Sequence, residues 1–278
     1  MRRTWIRRLL LVLCLVFFLA AVGDTAEEGA PDEPGAEALA PFVPKVAALT
    51  VGEALTYRIT LAGIPAGYAT LEVKRLDCWP GGRTSYYLKC RTRTNNFFSL
   101  FYEVDDTVRS YVDTGEFYSR KYEKRLNEGR YRRYQHILFD YERGMADYLG
   151  EDPDWRKVTP VMSVELPGRV LDPLAALYYL RACRLEVGKT LDLTVHTAGG
   201  NWLLSLTPEE EVALPVGRFG VRQAFVVKPR ARFEGIFVRR GVMTVWLDKQ
   251  TNIPLKLRVL VPVGTAEATL VKAKEADL

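Results

Sequence analysis

From Val51 onward, apolar and polar residues alternate with a period of two, and this pattern limits what the chain can fold into. In "LTYRITL", Leu55, Tyr57, Ile59 and Leu61 fall on one face, and Thr56, Arg58 and Thr60 on the other. Successive side chains of a strand point to opposite faces, so such a run is a strand with one buried face. The pattern returns in "AGYATLEVKRL", "SYYLKCRTRT", "RYRRYQHILFDYE", "TLDLTVH", "NWLLSLTPEEEVAL", "VRQAFVVKPRARF", "FVRRGVMTVWLD", "IPLKLRVLVPV" and "TAEATLVKAK". Thr114-Gly115 separates "VRSYVD" from "EFYSRKYEKRL" as a hairpin turn would. Connections this short make consecutive strands antiparallel neighbours. The reading yields about eleven to thirteen strands, too many for an open sheet that does not curl. The expected fold is mainly β: a single curved antiparallel sheet or open β-barrel formed by residues 51–278 as one domain.

One segment breaks the alternation. "RVLDPLAALYYLRAC" reads as a helix over about residues 172–183, with Asp172 as N-cap and Pro173 at the first helical position. Arg181 and Arg184 stand at its C-terminal end, where cations suit the helix dipole. Between these ends there is no polar face, and a helix apolar all round is buried. In a curved sheet the available place is the concave side. There it either plugs the core or lines an apolar cavity with Leu174, Leu177 and Tyr178.

A second segment, "NNFFSLFYEVDD", crowds Phe97, Phe98, Leu100, Phe101 and Tyr102 into a short connection. Buried, they are a satellite of the core. Exposed, they form an apolar lip that marks a ligand mouth or a membrane contact.

The N-terminus has its own character. Arg2, Arg3, Arg7 and Arg8 precede the apolar run "LLLVLCLVFFLAAV", and "AVG" supplies small residues at a cleavage site. Residues 1–23 are expected to be a signal peptide cleaved near Gly23, which places the mature chain in the periplasm or outside the cell. The alternative is a retained membrane anchor. Residues 24–50 form an acidic, proline-rich tail unable to fold alone. Without the four arginines of the leader, the formal charge of +5 falls to about +1, so the basic balance does not point to nucleic acid. Of the cysteines, Cys78, Cys90 and Cys183 remain after cleavage. An exported chain permits one disulfide among them or three buried thiols.

Catalytic signatures are absent from the sequence. His136 and His196 stand in no metal-ligand spacing, and no nucleophile elbow, phosphate loop or dinucleotide fingerprint occurs. No enzymatic activity, cofactor or metal is expected. The remaining signal is basic: Arg120, Lys124, Arg130 and Arg132 on a hairpin interleaved with tyrosines. They are either a solvated strand face that resists edge pairing or a contact for an anionic partner.

The segments "VGEALTYRITLAGIPAGYATLEV", "FFSLFYEVDD", "DPLAALYYLR", "LPVGRFGVRQAFVVKP" and "GIFVRRGVMTVWLDKQTNIPLKL", in that order, resemble an exported bacterial family known as domain of unknown function 3108. The resemblance spans Val51 to Lys272. It implies a secreted or periplasmic β-rich domain and supplies no catalytic residues. By looser analogy, it is similar to curved-sheet-plus-helix carriers of periplasmic lipoproteins. The expected function is a non-enzymatic envelope protein that binds a lipid or other amphiphile in an apolar cavity. Phe97, Phe98, Phe101, Tyr102, Leu174, Leu177 and Tyr178 would line the site, and Arg120, Lys124, Arg130 and Arg132 would meet its anionic head. The alternative is an envelope scaffold or adaptor with a solid core, acting through contacts with other envelope proteins. A filled core favours the second, and a continuous apolar cavity the first.

Overall fold

The computed structural model describes residues 49–149, 160–233, 236–237, 243–261 and 264–276. The expected signal peptide at 1–23, and the acidic tail up to residue 48, lie outside them. Among the described residues, seventeen strands follow the alternation closely and two α-helices interrupt it. They are β1 (Ala54–Leu61), β2 (Ile64–Trp79), β3 (Arg83–Thr94), α1 (Asn96–Ser99), β4 (Asp105–Asp113), β5 (Ser119–Glu128), β6 (Tyr131–Asp140), β7 (Met145–Leu149), β8 (Pro160–Glu165) and α2 (Pro173–Leu180). Then come β9 (Leu191–Thr197), β10 (Gly200–Leu206), β11 (Pro208–Pro215), β12 (Val221–Val227), β13 (Arg230–Phe233), β14 (Ile236–Phe237), β15 (Met243–Asp248), β16 (Pro254–Val261) and β17 (Gly264–Lys274).

Thirteen strands form one antiparallel sheet in the order β11-β12-β15-β16-β17-β1-β2-β3-β4-β5-β6-β7-β8. Laid flat, such a sheet would be about 60 Å across, whereas an eight-residue helix is about 12 Å long. Yet Leu88 of β3, Leu257 of β16 and Phe225 of β12 share one core with α2, so the sheet curls around the helix. Leu55, Tyr57 and Ile59 point into that core as the alternation requires.

A second sheet, β14-β13-β10-β9, was not expected. "NWLLSLTPEEEVAL" and "VRQAFVVKPRARF" each read as one strand, but each divides between the two sheets. The pairing carries on across the corner: Ser205 faces Arg230 on one side, and Pro208 faces Val227 on the other. Pro208 and Pro229 sit at the corner, where a proline cannot donate to a ladder. The ribbon bends there and its far half enters the smaller sheet. That sheet is tied to the β8 side of the large one. His196 donates its backbone N–H to Leu171 O, and Asn201 donates Nδ2–H to Glu165 O at 2.7 Å. The sheet therefore stays open, and the gap carries a second layer.

The expected hairpin at Thr114-Gly115 is present with a longer loop. Asp113 Oδ1 accepts from the Gly115 and Glu116 amides, and Phe117 adopts a left-handed φ of 55° to bury its ring. "EFY" is therefore loop rather than strand. The three described thiols are free: Cys90 lies opposite Leu71 and Cys78 opposite Thr84. Burial pushes the Cys90 and Cys183 thiols up to about 12, which makes both inert.

Candidate functional site

The interior helix comes first. Asp172 caps α2 by accepting from the amides of Leu174 and Ala175, each at 2.9 Å. Its other oxygen accepts from the Ser110 and Ser119 hydroxyls at 2.5 and 2.6 Å. Burial raises the Asp172 pKa, and the two serine hydrogen bonds oppose that shift. At the far end, bonds from Arg181, Ala182 and Cys183 back to Tyr178, Tyr179 and Leu180 tighten the last turn, so the α-helix proper ends at Leu180 rather than near 183. Asn252 Nδ2 donates to the carbonyls of Leu180 and Cys183 at the end of the helix. Arg181 grips Glu53 with two hydrogen bonds, at 2.5 and 2.7 Å, across 128 residues of sequence. Burial works against the charged guanidinium, and the Glu53 bonds outweigh it, so its pKa is raised.

Every residue of α2 is buried. Leu174, Leu177 and Tyr178 pack into the continuous core that joins β1, β2, β3, β12 and β15–β17. Among the described residues they complete a core, against which Phe98 and Tyr102 of the aromatic turn are partly buried. A shallow depression does occur elsewhere, lined by Val221, Arg222, Gln223, Asp248, Lys249 and Gln250, but it is not an apolar chamber beside the helix.

The aromatic turn lies at the rim. In an antiparallel meander, alternate connections fall at the same end of the sheet. The β1–β2, β3–β4, β5–β6 and β16–β17 connections therefore share one rim. Helix α1 sits on the β3–β4 connection and is held from several sides. Asn95 Oδ1 accepts from Phe98 N at 2.9 Å, and Asn95 Nδ2 donates to Pro65 O at 2.6 Å beside the β1–β2 turn. Thr94 and Ser99 hydroxyls bond at 2.8 Å. On the other flank, Gly129 N donates to Glu103 O at 2.7 Å, tying the connection to the β5–β6 turn. Gly129 has φ +54°, and a Cβ there would stand 2.7 Å from the Tyr102 ring, so the close approach requires glycine.

This scaffold holds apolar side chains in solvent. Phe97 is 57% exposed, Leu100 81% and Phe101 75%. The Phe97 ring meets Phe98 and Phe101 edge-on, at 5.7 and 5.5 Å. Phe98 and Tyr102 are partly buried against the core and support the tip from below. Ile64 at the start of β2 and Leu260 near the end of β16 are exposed beside it, and Tyr68 on the outer face of β2. Of the seven apolar candidates, the structure thus gathers Phe97, Phe98, Phe101 and Tyr102 at the rim and keeps Leu174, Leu177 and Tyr178 in the interior.

The basic hairpin divides as well. Arg120 lies at the opposite end of β5, about 30 Å from the rim at strand rise. It is held at 2.5 Å by Asp113, with its guanidinium over the Tyr118 ring. Lys124 lies opposite Val108 and Gln135 and is half-buried. Arg130 and Arg132 are exposed on the rim turn, and Arg132 donates to the Gly129 and Tyr131 carbonyls. The four do not form one patch, because β5 and β6 run the length of the sheet and a hairpin has two ends. In place of Arg120 and Lys124, the rim gains Arg93, exposed at the end of β3, and Arg58, which faces Tyr68. Asp105 lies near Arg93 but is already held by Arg91 through two bonds, at 2.8 and 2.7 Å. Arg91 accordingly lowers the Asp105 pKa. Glu103 is an exposed carboxylate of the same rim. Arg58 and Arg93 gave no sequence signal, since their place beside α1 follows from strand register.

The two histidines are internal to the sheets. His196 Nε2 bonds the Tyr148 hydroxyl at 2.9 Å, and Nδ1 bonds Asn201 Oδ1 at 2.8 Å. Tyr148 also accepts from Gly199 N, so its proton goes to Nε2 and the ring is neutral with its proton on Nδ1. Among the described residues, no three His, Cys, Asp or Glu side chains gather as metal ligands would.

No curated protein matches the chain. Among solved structures, it is similar to a β-barrel-like protein of domain of unknown function DUF1849 from Brucella abortus. That match has 14% identity and a TM-score of 0.52, covering 83% of this chain and 100% of the other. It is a likeness of fold. The sequence pattern described as "Protein of unknown function (DUF3108)" matches residues 56–271, from the first strand to the last, and the chain belongs to that family.

Proposed function

We propose that this protein is a non-enzymatic contact domain of the bacterial cell envelope, with a solid core and a working surface at the rim, where it engages an amphiphile. The observation that carries this is the exposure of Phe97, Leu100 and Phe101 on a connection pinned to β2 and to the β5–β6 turn. Exposed aromatic side chains on a rigid support cost solubility, and a contiguous apolar tip of this kind marks an interaction site. The filled interior argues against an acyl chain inside the sheet, because α2 already occupies the concave side. The polar groups buried around α2 serve as caps and ion pairs, which supports a scaffold rather than a reaction centre. A leader that directs export fits the envelope setting.

Native mass spectrometry with lysophosphatidylglycerol tests the reading. Wild-type protein is expected to form adducts that the combined Phe97→Ser, Leu100→Ser and Phe101→Ser variant does not. A stoichiometric acyl lipid co-purifying with that variant would put the ligand inside the fold and overturn the surface reading.

The second reading is an adaptor that offers the same rim to another envelope protein. The solid core favours it equally, since a protein contact needs no cavity. Retention of lysolipid adducts is what separates the two.

A further inference from the structure

The rim combines two features that do not depend on each other. Phe97 of α1 and Leu100 and Phe101 just after it are exposed, with Ile64 at the adjoining start of β2. Arg93, Arg130 and Arg132 are exposed on the strand ends and turn that flank α1, and Arg58 lies further down β1. Asp105 is taken up by Arg91, with Arg93 3.9 Å from it, Glu128 is buried, and Glu103 is an exposed carboxylate among the described residues at this rim. An apolar tip surrounded by guanidinium groups matches the layering of a lipid surface, where phosphates lie outside the acyl region. Arginine suits that layer because its planar fork binds phosphate oxygens in pairs.

Size separates this from a protein contact. A stable protein interface buries about 800 Å² per partner. A tip of three or four exposed side chains does not by itself present an area of that extent, whereas shallow insertion into a bilayer needs only the tip. Resting on the rim as the contact site, we infer that it docks on an anionic lipid bilayer. Phe97, Leu100 and Phe101 enter the interface, and Arg93, Arg130 and Arg132 meet the headgroup phosphates.

The test places a reporter in the tip of the full chain. The Phe101→Trp variant should be quenched by vesicles of brominated phosphatidylglycerol at low salt and much less by brominated phosphatidylcholine. The reporter reads the rim itself, so a retained N-terminal anchor does not mimic the result. Raising the salt, or replacing Arg93, Arg130 and Arg132 together by Gln, should weaken vesicle binding by about tenfold or more. Adding Phe97→Ser and Leu100→Ser should remove the quenching. All these residues are exposed, so thermal melting should stay at the wild-type value and certify the fold. An unquenched Phe101→Trp variant with anionic vesicles at low salt overturns the inference, as does equal quenching by both lipids. If lysophosphatidylglycerol still binds an unquenched variant, the bilayer is excluded and the amphiphile-contact reading stands, whereas equal quenching by both lipids leaves apolar insertion and removes the arginine–phosphate contact. If neither lipid binds, that reading falls too, in favour of the protein adaptor.

Discussion

Helices α1 and α2 are both short, both carry aromatic residues, and both are capped by an Asx side chain, yet they end in opposite environments. Helix α2 is buried along its whole length, while α1 holds Phe97 in solvent, and Leu100 and Phe101 just after it are exposed as well. The difference does not come from composition. It comes from where the topology puts each segment: α2 crosses the concave side of a curled sheet, and α1 sits on a connection at its rim. An apolar segment is buried only if the fold supplies a second surface to cover it.

Charge substitution should separate the two most sharply. Leu177→Asp puts a carboxylate in an apolar core with no partner, and a loss of more than about 3 kcal/mol is expected in urea unfolding. Leu100→Asp is expected within about 0.5 kcal/mol of wild type, because its side chain is already in water. Equal losses would mean that the tip is covered.

The caps give a smaller contrast. Asp172→Ala strands the Ser110 and Ser119 hydroxyls and two helix amides inside the core, and about 3 kcal/mol should be lost. Asn95→Ala should cost about 1 kcal/mol, since water can replace the cap at an exposed turn. A chemical-denaturation series on the two variants measures the ratio, and similar losses would contradict the buried setting of Asp172.

Acid should act on the body of the sheet more than on the rim. Burial lowers the His136 pKa to about 4, and burial also lowers that of His196. The unfolded chain binds a proton near pH 6.5, before the folded chain does. Stability is therefore complete above about pH 6.5 and falls as the pH drops toward about 4, by about 3 kcal/mol for His136. His136→Gln should flatten that part of the profile in melts followed from neutral to acid pH. The rim carries no histidine, so rim binding should persist until unfolding. A flat wild-type profile would show that His136 is not desolvated.

Much of the fold could be read along the chain because strand alternation is a local property. Leu55, Tyr57 and Ile59 announce an inward face by spacing alone, and Asp172-Pro173 announces a helix start by side-chain chemistry. The division of "NWLLSLTPEEEVAL" was harder to see, although Pro208 was in view, since a proline can end a strand or turn its corner. The candidate site was legible only in pieces. The aromatic cluster was visible at Phe97–Tyr102, but its exposure was not, and the basic hairpin hid the fact that Arg120 already had a partner in Asp113.

What the sequence by itself determined is the set of local preferences: period-two strands, one helix without a polar face, the family to which the chain belongs, and an aromatic connection beside basic residues. Only the tertiary structure decided which of these meet. Register set Arg93 beside the tip and Arg58 in line with it across Tyr68, curling filled the concave side with Leu174, Leu177 and Tyr178, and the long reach from Glu53 to Arg181 closed the core. These outcomes depend on pairings between residues far apart in the chain. Neither spacing nor composition encodes such pairings locally, because they arise when the sheet curls and one side chain excludes water from another.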